Sequence, residues 1–255
     1  MKVHFLGVGA QKAGTSALDV YLRSHPGLCM ARMKELHLFD DDQNFFKRAL
    51  GGYADYHRQF APASSGQLVG EITPAYMYWN EAPRRIWEYN PAMKLIAVLR
   101  NPITRAYSQW NMERDRGLEP LGFWDALQAE DARLRGSAPY QNRRYSYADR
   151  GFYTGQLRRL WMFFPREQVL VLRYEELQRQ PDEALRKVFD FLGVERLPPI
   201  PPQEAHVRPY PGSMSRREWE YLRDLFEFEV RALERMLAWD CAEWLRRPDD
   251  LADMG

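Results

Sequence analysis

Short apolar runs alternate with amphipathic stretches along most of the chain. The apolar runs predict strands at residues 3–8, 68–72, 94–99 and 169–172. The run at 94–99 (KLIAVL) is almost uninterrupted, as in strands that a parallel sheet buries on both faces. Apolar spacing at helical period, with capping residues and prolines at the ends, predicts helices at residues 15–24, 82–89, 102–114, 155–164, 182–192 and 215–237.

This order of elements predicts the fold class. Strands separated by helices imply right-handed crossovers and a parallel sheet. We therefore expect an α/β fold with three layers, P-loop-like, in which a central parallel sheet is flanked by helices. A length of 255 residues suits one domain over residues 1–255. Within it, residues 117–149 are predicted to form a cap or insertion, and residues 198–214 a proline-rich connecting loop.

Charge composition narrows the class of partner. Lys and Arg total 36 against 35 Asp and Glu, which gives a formal net charge of +1. A general nucleic-acid binder would carry a broad basic excess, so we expect no nucleic-acid partner. Any anion must instead be bound by a local cluster of donors.

The cysteines and the hydropathy pattern bear on the cellular location. Cys29 and Cys241 are too few for a disulfide framework or a thiolate zinc site. Two reduced thiols are the favoured interpretation, and a single disulfide between them is the alternative. The apolar run at the N-terminus is too short for a secretion signal. Because the sequence contains no apolar stretch of ~18 residues, we expect no transmembrane segment and a cytoplasmic location. The oligomeric state cannot be read from the sequence.

Phosphate-binding chemistry follows the first predicted strand. The segment consists of Gln11, Lys12, Ala13, Gly14, Thr15 and Ser16. Small residues allow a tight turn, and the amides that begin the next helix can bind an anion. Lys12 adds a charge, and Thr15 and Ser16 add hydroxyl donors. The lysine precedes the last glycine instead of following it, and no predicted strand ends in an aspartate suited to Mg²⁺, which disfavours a nucleoside-triphosphate site. A plain strand–turn–helix connection is the alternative.

A second anion-binding pair follows the third predicted strand. Arg100 stands where this strand ends, and Ser108 lies on the second turn of the helix that Asn101 and Pro102 begin. A guanidinium fork and a hydroxyl can bind one phosphate together. A surface ion pair is the alternative for Arg100. Because open parallel sheets bind ligands beyond the carboxyl ends of their strands, we expect both anion sites at one edge.

These residues resemble the sulfotransferases that use 3′-phosphoadenosine 5′-phosphosulfate (PAPS). The family's 5′-phosphosulfate loop resembles residues 11–18, and its 3′-phosphate motif resembles the segment from Arg100 to Ser108. Further segments are similar to the heparan-sulfate-type branch and its small bacterial relatives, namely residues 34–39 (KELHLF), 71–76 (EITPAY) and 150–175. The resemblance covers most of the chain.

The resemblance implies a reaction and the residues that perform it. The family transfers a sulfuryl group from PAPS to a hydroxyl or amine of a carbohydrate or other small acceptor by in-line displacement, releasing PAP without a metal. Lys12 is expected to stabilise the charge on the leaving phosphate, and Glu35 to act as the base. His37 is the alternative base. Partial burial is expected to raise the pKa of Glu35.

The remaining site residues are also predictions from the resemblance. The residues expected to bind the donor are Gln11, Lys12, Ala13, Gly14, Thr15, Ser16, Arg100, Ser108 and Arg208. Arg208 stands where the family has a loop that closes over the nucleotide, although the K-G-R pattern of that loop is not reproduced. The residues expected to meet the acceptor are Glu71, Thr73, Tyr76 and Tyr153. The roles of Arg143 and Arg144 stay open. Two other functions are weighed: a P-loop nucleotide kinase and a nucleotide-binding module without catalysis.

Overall fold

A computed structural model of the protein describes residues 2–43, 45–198 and 212–247. Its strands are β1 (Phe5–Gly9), β2 (Leu28–Met30), β3 (Leu68–Ile72), β4 (Lys94–Leu99) and β5 (Val169–Arg173). Its helices are α1 (Thr15–Arg23), α2 (Phe45–Leu50), α3 (Ala54–His57), α4 (Ala82–Tyr89), α5 (Pro102–Asp115), α6 (Phe123–Arg135), α7 (Tyr153–Trp161), α8 (Tyr174–Arg179), α9 (Pro181–Leu192) and α10 (Arg216–Leu237). Short 3₁₀ turns cover Asp149–Gly151, Arg166–Gln168 and Ala242–Leu245.

The strands form one parallel sheet in the order β2-β3-β1-β4-β5. The central strand β1 is buried over its whole length, and the residues of β4 after Lys94 are also buried. This burial explains the nearly continuous apolar runs, because both faces of the sheet are covered by helices. The predicted α/β class, a central parallel sheet flanked by helices, is confirmed. The three-residue strand β2 was not predicted.

Capping residues account for the starts of two predicted helices. The side chain of Asn101 accepts a hydrogen bond from the N–H of Ile103 (2.9 Å) and so begins α5. At α10, Ser215 Oγ accepts from the N–H of Glu218 (3.3 Å), and Glu218 Oε2 accepts from the N–H of Ser215 (2.7 Å). These reciprocal bonds form a capping box, in which two N–H groups at the helix start gain acceptors.

The chain divides into two compact units. The first, built from residues 1–100 and 158–207, contains the sheet. In the second, residues 101–157 and 208–255, Glu229 of α10 accepts hydrogen bonds from the N–H and hydroxyl of Thr154. Glu130 of α6 accepts the N–H groups of Ala148 and Asp149. The single-domain organisation and the cap at 117–149 stay predictions. Residues 199–211 of the predicted connecting loop lie outside the described residues.

Two further expectations concern the cysteines and membrane spans. Cys29 and Cys241 are both buried, and neither is joined in a disulfide, in agreement with the favoured interpretation of two reduced thiols. In the part of the chain that the structure describes, no helix has the length and apolar character needed to cross a membrane.

Substituting Gly70 should destabilise the first unit. Gly70 of β3 pairs with Phe5 of β1, and a Cβ at Gly70 would lie 2.2–2.4 Å from atoms of the buried Phe5 ring. Because a ring packed in the core cannot move away easily, Gly70→Ala should cost about 1–3 kcal/mol of the free energy of unfolding, measured by urea denaturation.

Gly155→Ala is the matched control for this prediction. A Cβ at Gly155, an exposed position of α7, meets no atom within 4 Å. Since alanine favours helix over glycine, this variant should gain up to about 1 kcal/mol. Equal effects of the two substitutions would contradict the packing described for Gly70.

Candidate active site

The segments after three neighbouring strands meet at one edge of the sheet. The N–H of Thr73, just after β3, donates to the carbonyl of Gly7 in β1 (2.9 Å). The N–H of Ala10, just after β1, donates to the carbonyl of Val98 in β4 (2.7 Å). These bonds hold together the carboxyl ends of β3, β1 and β4, where open parallel sheets bind their ligands.

The loop after β1 has the backbone of an anion site. Gly14 precedes α1 in the left-handed region (φ 81°), and a Cβ there would lie 2.8 Å from the ring of Tyr174. Lys12 is also left-handed (φ 69°). Gly14 has no side chain that could cap α1. The first N–H groups of the helix therefore lack a side-chain acceptor from this position. With Lys12, Thr15 and the helix N–H groups, the donor set suits a phosphate or a sulfate.

Arg100 lies against this loop. Its Nη1 donates to the carbonyl of Lys12 (3.2 Å), and its guanidinium carbon lies 4.9 Å from the ring centroid of Tyr174. The two basic residues that the sequence assigned to separate anion sites are therefore neighbours. Tyr174 was missed by the sequence analysis. Tyr174 directly follows β5, so it lies at the same edge of the sheet as the segments after β1 and β4. This position would have allowed its prediction as a site residue.

Some predicted donor-binding residues cannot be placed beside this loop. Ser108 is a buried residue of α5 in the second unit, and its shared binding of a phosphate with Arg100 stays a prediction. Arg208 lies outside the described residues. Gln11 is half-buried, and its buried amide oxygen has no hydrogen-bond partner among the described residues.

A chain of alternating charges follows β2. Lys34 Nζ donates to Glu35 Oε1 (2.5 Å), and Glu35 Oε2 lies 3.7 Å from His37 Nε2. His37 Nδ1 bonds Asp40 Oδ2 (2.9 Å). Asp40 is fully buried, whereas the side chains of Glu35 and His37 remain 37% and 42% exposed. Glu35 and His37 can therefore meet an acceptor, and Asp40 can only orient His37. Asp40 was missed, although it lies three residues after His37.

The pKa values in this chain run against the expectation for Glu35. Burial does raise the pKa of Glu35, but the nearby His37 imidazolium and the charge of Lys34 together outweigh it and lower the pKa to about 2. The hydrogen bond to Asp40, followed by the proximity of Glu35, raises the pKa of His37 to about 9. At neutral pH, Glu35 is therefore a carboxylate and His37 an imidazolium.

The candidate catalytic residues have an unusual backbone conformation. In the described part of the chain, five non-glycine residues have left-handed φ angles, and three of these are Lys12, Glu35 (φ 66°) and His37 (φ 52°). This conformation costs a non-glycine residue of order 1–3 kcal/mol and persists only when surrounding contacts enforce it. Its concentration at Lys12, Glu35 and His37 is typical of a functional site.

The predicted acceptor residues of the first unit form a buried network. Glu71, Thr73 and Tyr76 are all fully buried. Glu71 Oε1 accepts hydrogen bonds from the hydroxyls of Tyr76 (2.8 Å) and Tyr56 (3.3 Å). Glu71 Oε2 accepts one from the hydroxyl of Thr73 (2.7 Å). Burial raises the pKa of Glu71. Tyr153 is a buried residue of the second unit. Contact of these four residues with an acceptor stays a prediction.

The fold and the site define a class of protein. A parallel sheet with an anion loop after its central strand, and an arginine after the neighbouring strand, is the arrangement of P-loop-like nucleotide-binding proteins. The chain belongs to the sulfotransferase family, since the profile of the sulfotransferase domain matches residues 2–204.

Individual relatives agree with this assignment. Human heparan sulfate glucosamine 3-O-sulfotransferase 6 is 34% identical over 196 residues, which cover 74% of this chain and 52% of that enzyme. The chain thus spans about half the length of this relative. The crystal structure of a sulfotransferase from Alicyclobacillus acidocaldarius is 29% identical, covers 96% of this chain and all of its own, and superposes with a TM-score of 0.81. A mouse sulfotransferase complexed with PAP shares the fold at 18% identity and a TM-score of 0.50, over 76% of this chain and 60% of its own.

Proposed function

We propose that this protein is a PAPS-dependent sulfotransferase, which transfers a sulfuryl group to a hydroxyl or amine of a carbohydrate or other small acceptor by in-line displacement. The observation that carries the proposal is the contact of Arg100 with the Lys12 loop at the strand ends of the sheet, in a chain whose residues 2–204 match the sulfotransferase domain. When bound, PAPS supplies the activated sulfuryl group and a phosphate leaving group. The absence of a metal requirement remains part of the proposal.

Lys12 and the start of α1 would hold the 5′ end of the donor. The N–H groups of the first turn, with the hydroxyls of Thr15 and Ser16, offer fixed donors for its oxygens. The Lys12 ammonium would stabilise the negative charge that develops on the leaving phosphate. Arg100 and Ser108 would bind the 3′-phosphate, the guanidinium as a two-donor fork.

Glu35 is the better candidate for the base. His37, with a pKa of about 9, already carries its proton at neutral pH and cannot accept another. Glu35 is ionised and partly exposed. A carboxylate with a pKa of about 2 is a weak base, so proton transfer from the acceptor would come late, once bonding to sulfur has made the hydroxyl acidic. His37, held by buried Asp40, would fix the orientation of Glu35.

A carbohydrate is the acceptor class that the relatives favour. The human relative is named for a glucosamine of heparan sulfate, and the chain carries the K-E-x-H and E-x-[ST]-P-x-Y segments of that branch at residues 34–39 and 71–76. Incubation with labelled PAPS and a panel of saccharide, lipid and peptide acceptors would identify the class. A cytoplasmic location also stays a prediction.

Adenosine 3′,5′-bisphosphate should stabilise the protein without Mg²⁺. At a hundredfold excess over Kd, one binding site contributes about 2.7 kcal/mol, which for a chain of this size raises Tm by roughly 5–10 °C. Differential scanning fluorimetry measures the shift. ADP with Mg²⁺ is the control, because it lacks the 3′-phosphate that Arg100 is proposed to bind. A larger shift with ADP and Mg²⁺ would instead indicate a nucleotide kinase.

A further inference from the structure

A buried pair of side chains supports the loop that carries Glu35 and His37. The backbone N–H of Leu36 lies close enough to the Glu71 carboxylate to lower its pKa, although burial raises it overall. The N–H of Leu38 donates to the hydroxyl of Tyr76 (3.0 Å), which itself donates to Glu71 Oε1 (2.8 Å). One linked pair of buried groups therefore binds one amide of this loop and lies beside a second.

These two amides are the ones that set the unusual backbone of the site. The peptide group after Glu35 contains the N–H of Leu36, and the peptide group after His37 contains the N–H of Leu38. The hydrogen bond from the Leu38 N–H to Tyr76 fixes the rotation of the peptide that follows left-handed His37. The Glu71 carboxylate lies beside the peptide that follows left-handed Glu35. The N–H of Glu35 is also bound, by the carbonyl of Ile72 at the end of β3 (2.9 Å).

We propose that Glu71 and Tyr76 are positioning residues, which hold Glu35 and His37 in their left-handed conformations and thereby keep the Glu35–His37–Asp40 chain assembled. The proposal rests on the sulfotransferase function only in calling Glu35 and His37 catalytic. In this role Glu71 and Tyr76 act through the backbone of residues 35–38 and need no contact with the acceptor.

The chemistry of the pair suits this role. Glu71 can accept several hydrogen bonds at once, and the hydroxyl of Tyr76 can accept from Leu38 while it donates to Glu71. Both side chains are fully buried, and Tyr76 packs edge-on against Phe39 of the same loop (ring centroids 5.4 Å apart). Buried networks in which every group is satisfied are rigid.

Tyr76→Phe removes the hydroxyl and keeps the ring. We expect the pKa of His37, followed by NMR in the free protein, to fall from about 9 towards 6.5, because the loop relaxes and the contacts of His37 with Asp40 and Glu35 loosen. We also expect kcat to fall about tenfold or more, with the Tm shift from adenosine 3′,5′-bisphosphate unchanged. A substitution that acted only on stability would lower Tm without changing the titration of His37.

Tyr56→Phe is the matched control. Tyr56 is equally buried, and its hydroxyl also donates to Glu71 Oε1 (3.3 Å), but no described hydrogen bond joins that hydroxyl to the backbone of residues 35–38. This variant should keep the wild-type titration of His37. If Tyr76→Phe does not fold, Glu71→Gln supplies the same measurement, since it weakens the acceptor of the Tyr76 hydroxyl and leaves the side-chain volume nearly unchanged.

Folded Tyr76→Phe or Glu71→Gln protein in which His37 titrates as in wild type would overturn the proposal. The titration needs neither donor nor acceptor, so its outcome does not depend on the reaction. Failure of the sulfotransferase function would appear separately, as the absence of a Tm shift with adenosine 3′,5′-bisphosphate.

Discussion

Replacing Lys12 by alanine should abolish most sulfuryl transfer from PAPS while leaving the fold intact. Lys12 supplies a positive charge to the loop that precedes α1. Its carbonyl accepts a hydrogen bond from Arg100. Loss of one donor that stabilises a developing anion costs about 10²–10³ in kcat. The measurement is transfer of label from PAPS to an acceptor, with Tm as the test of folding.

The backbone contacts of Lys12 explain why the fold should survive. The carbonyl that accepts from Arg100 remains in the alanine variant, and the left-handed φ of 69° is as unfavourable for lysine as for alanine. Lys187→Ala is the control, because Lys187 is an exposed lysine of the same unit that pairs with Glu176 (2.7 Å). It should retain wild-type activity. A Lys12→Ala enzyme that also kept more than about a tenth of that activity would exclude the proposed role.

The centre of the sheet was predictable because β1 and β4 are buried on both faces and read as nearly continuous apolar runs. The apolar residues of β3 and β5 also marked strands, and the structure places all four in one parallel sheet. Strand β2 lacks such a run, since it has three residues and depends on pairing with β3, about 40 positions away in sequence. Pairing between distant segments leaves no local pattern to recognise.

The chemistry of the site was predictable in part. Lys12 and Arg100 follow the carboxyl ends of strands, where open parallel sheets bind their ligands. The structure brings the two residues into contact. The conformation of Glu35 and His37 was not predictable, because neither residue type marks a left-handed position as glycine does. Under the proposal above, their conformation depends on Glu71 and Tyr76, which lie more than thirty residues further along the chain.

The direction of the Glu35 pKa was predicted wrongly for a related reason. Burial does raise this pKa, but the sequence does not show how closely Lys34 and His37 approach the carboxylate and lower it. Lys34 Nζ approaches Glu35 Oε1 to 2.5 Å, a contact that sequence adjacency allows but does not require. Desolvation is the largest single influence on this pKa, but the attraction of Lys34 and His37 together exceeds it.

Glu35→Gln should lower kcat by about 10²–10⁴, because a glutamine of the same shape cannot accept the proton of the acceptor hydroxyl. The Tm shift from adenosine 3′,5′-bisphosphate should be unchanged, since the anion loop and Arg100 are intact. The pKa of His37 should fall, because Glu35 is one of the groups that raise it. Steady-state kinetics, fluorimetry and NMR titration provide the three measurements.

The pH dependence gives the prediction a second test. With a pKa of about 2, Glu35 is ionised at any pH above about 3, so protonation of this base should not limit the wild-type kcat/KM near neutral pH. His37 loses its proton as the pH rises through about 9, and kcat/KM should decline there if the imidazolium orients Glu35. The same raised pKa makes a stability contribution that is complete below pH 6.5 and lost as the pH rises through about 9.

His37→Ala separates the two candidate bases. If Glu35 is the base, removing His37 frees Glu35 from one of its partners (Nε2–Oε2 3.7 Å) but leaves a carboxylate that can still accept a proton, so the loss of kcat should be smaller than in Glu35→Gln. The reverse order, with Glu35→Gln near wild type and His37→Ala inactive, would assign the proton transfer to the imidazole. The pKa of about 9 argues against that outcome, because at neutral pH fewer than about one His37 in fifty would be unprotonated.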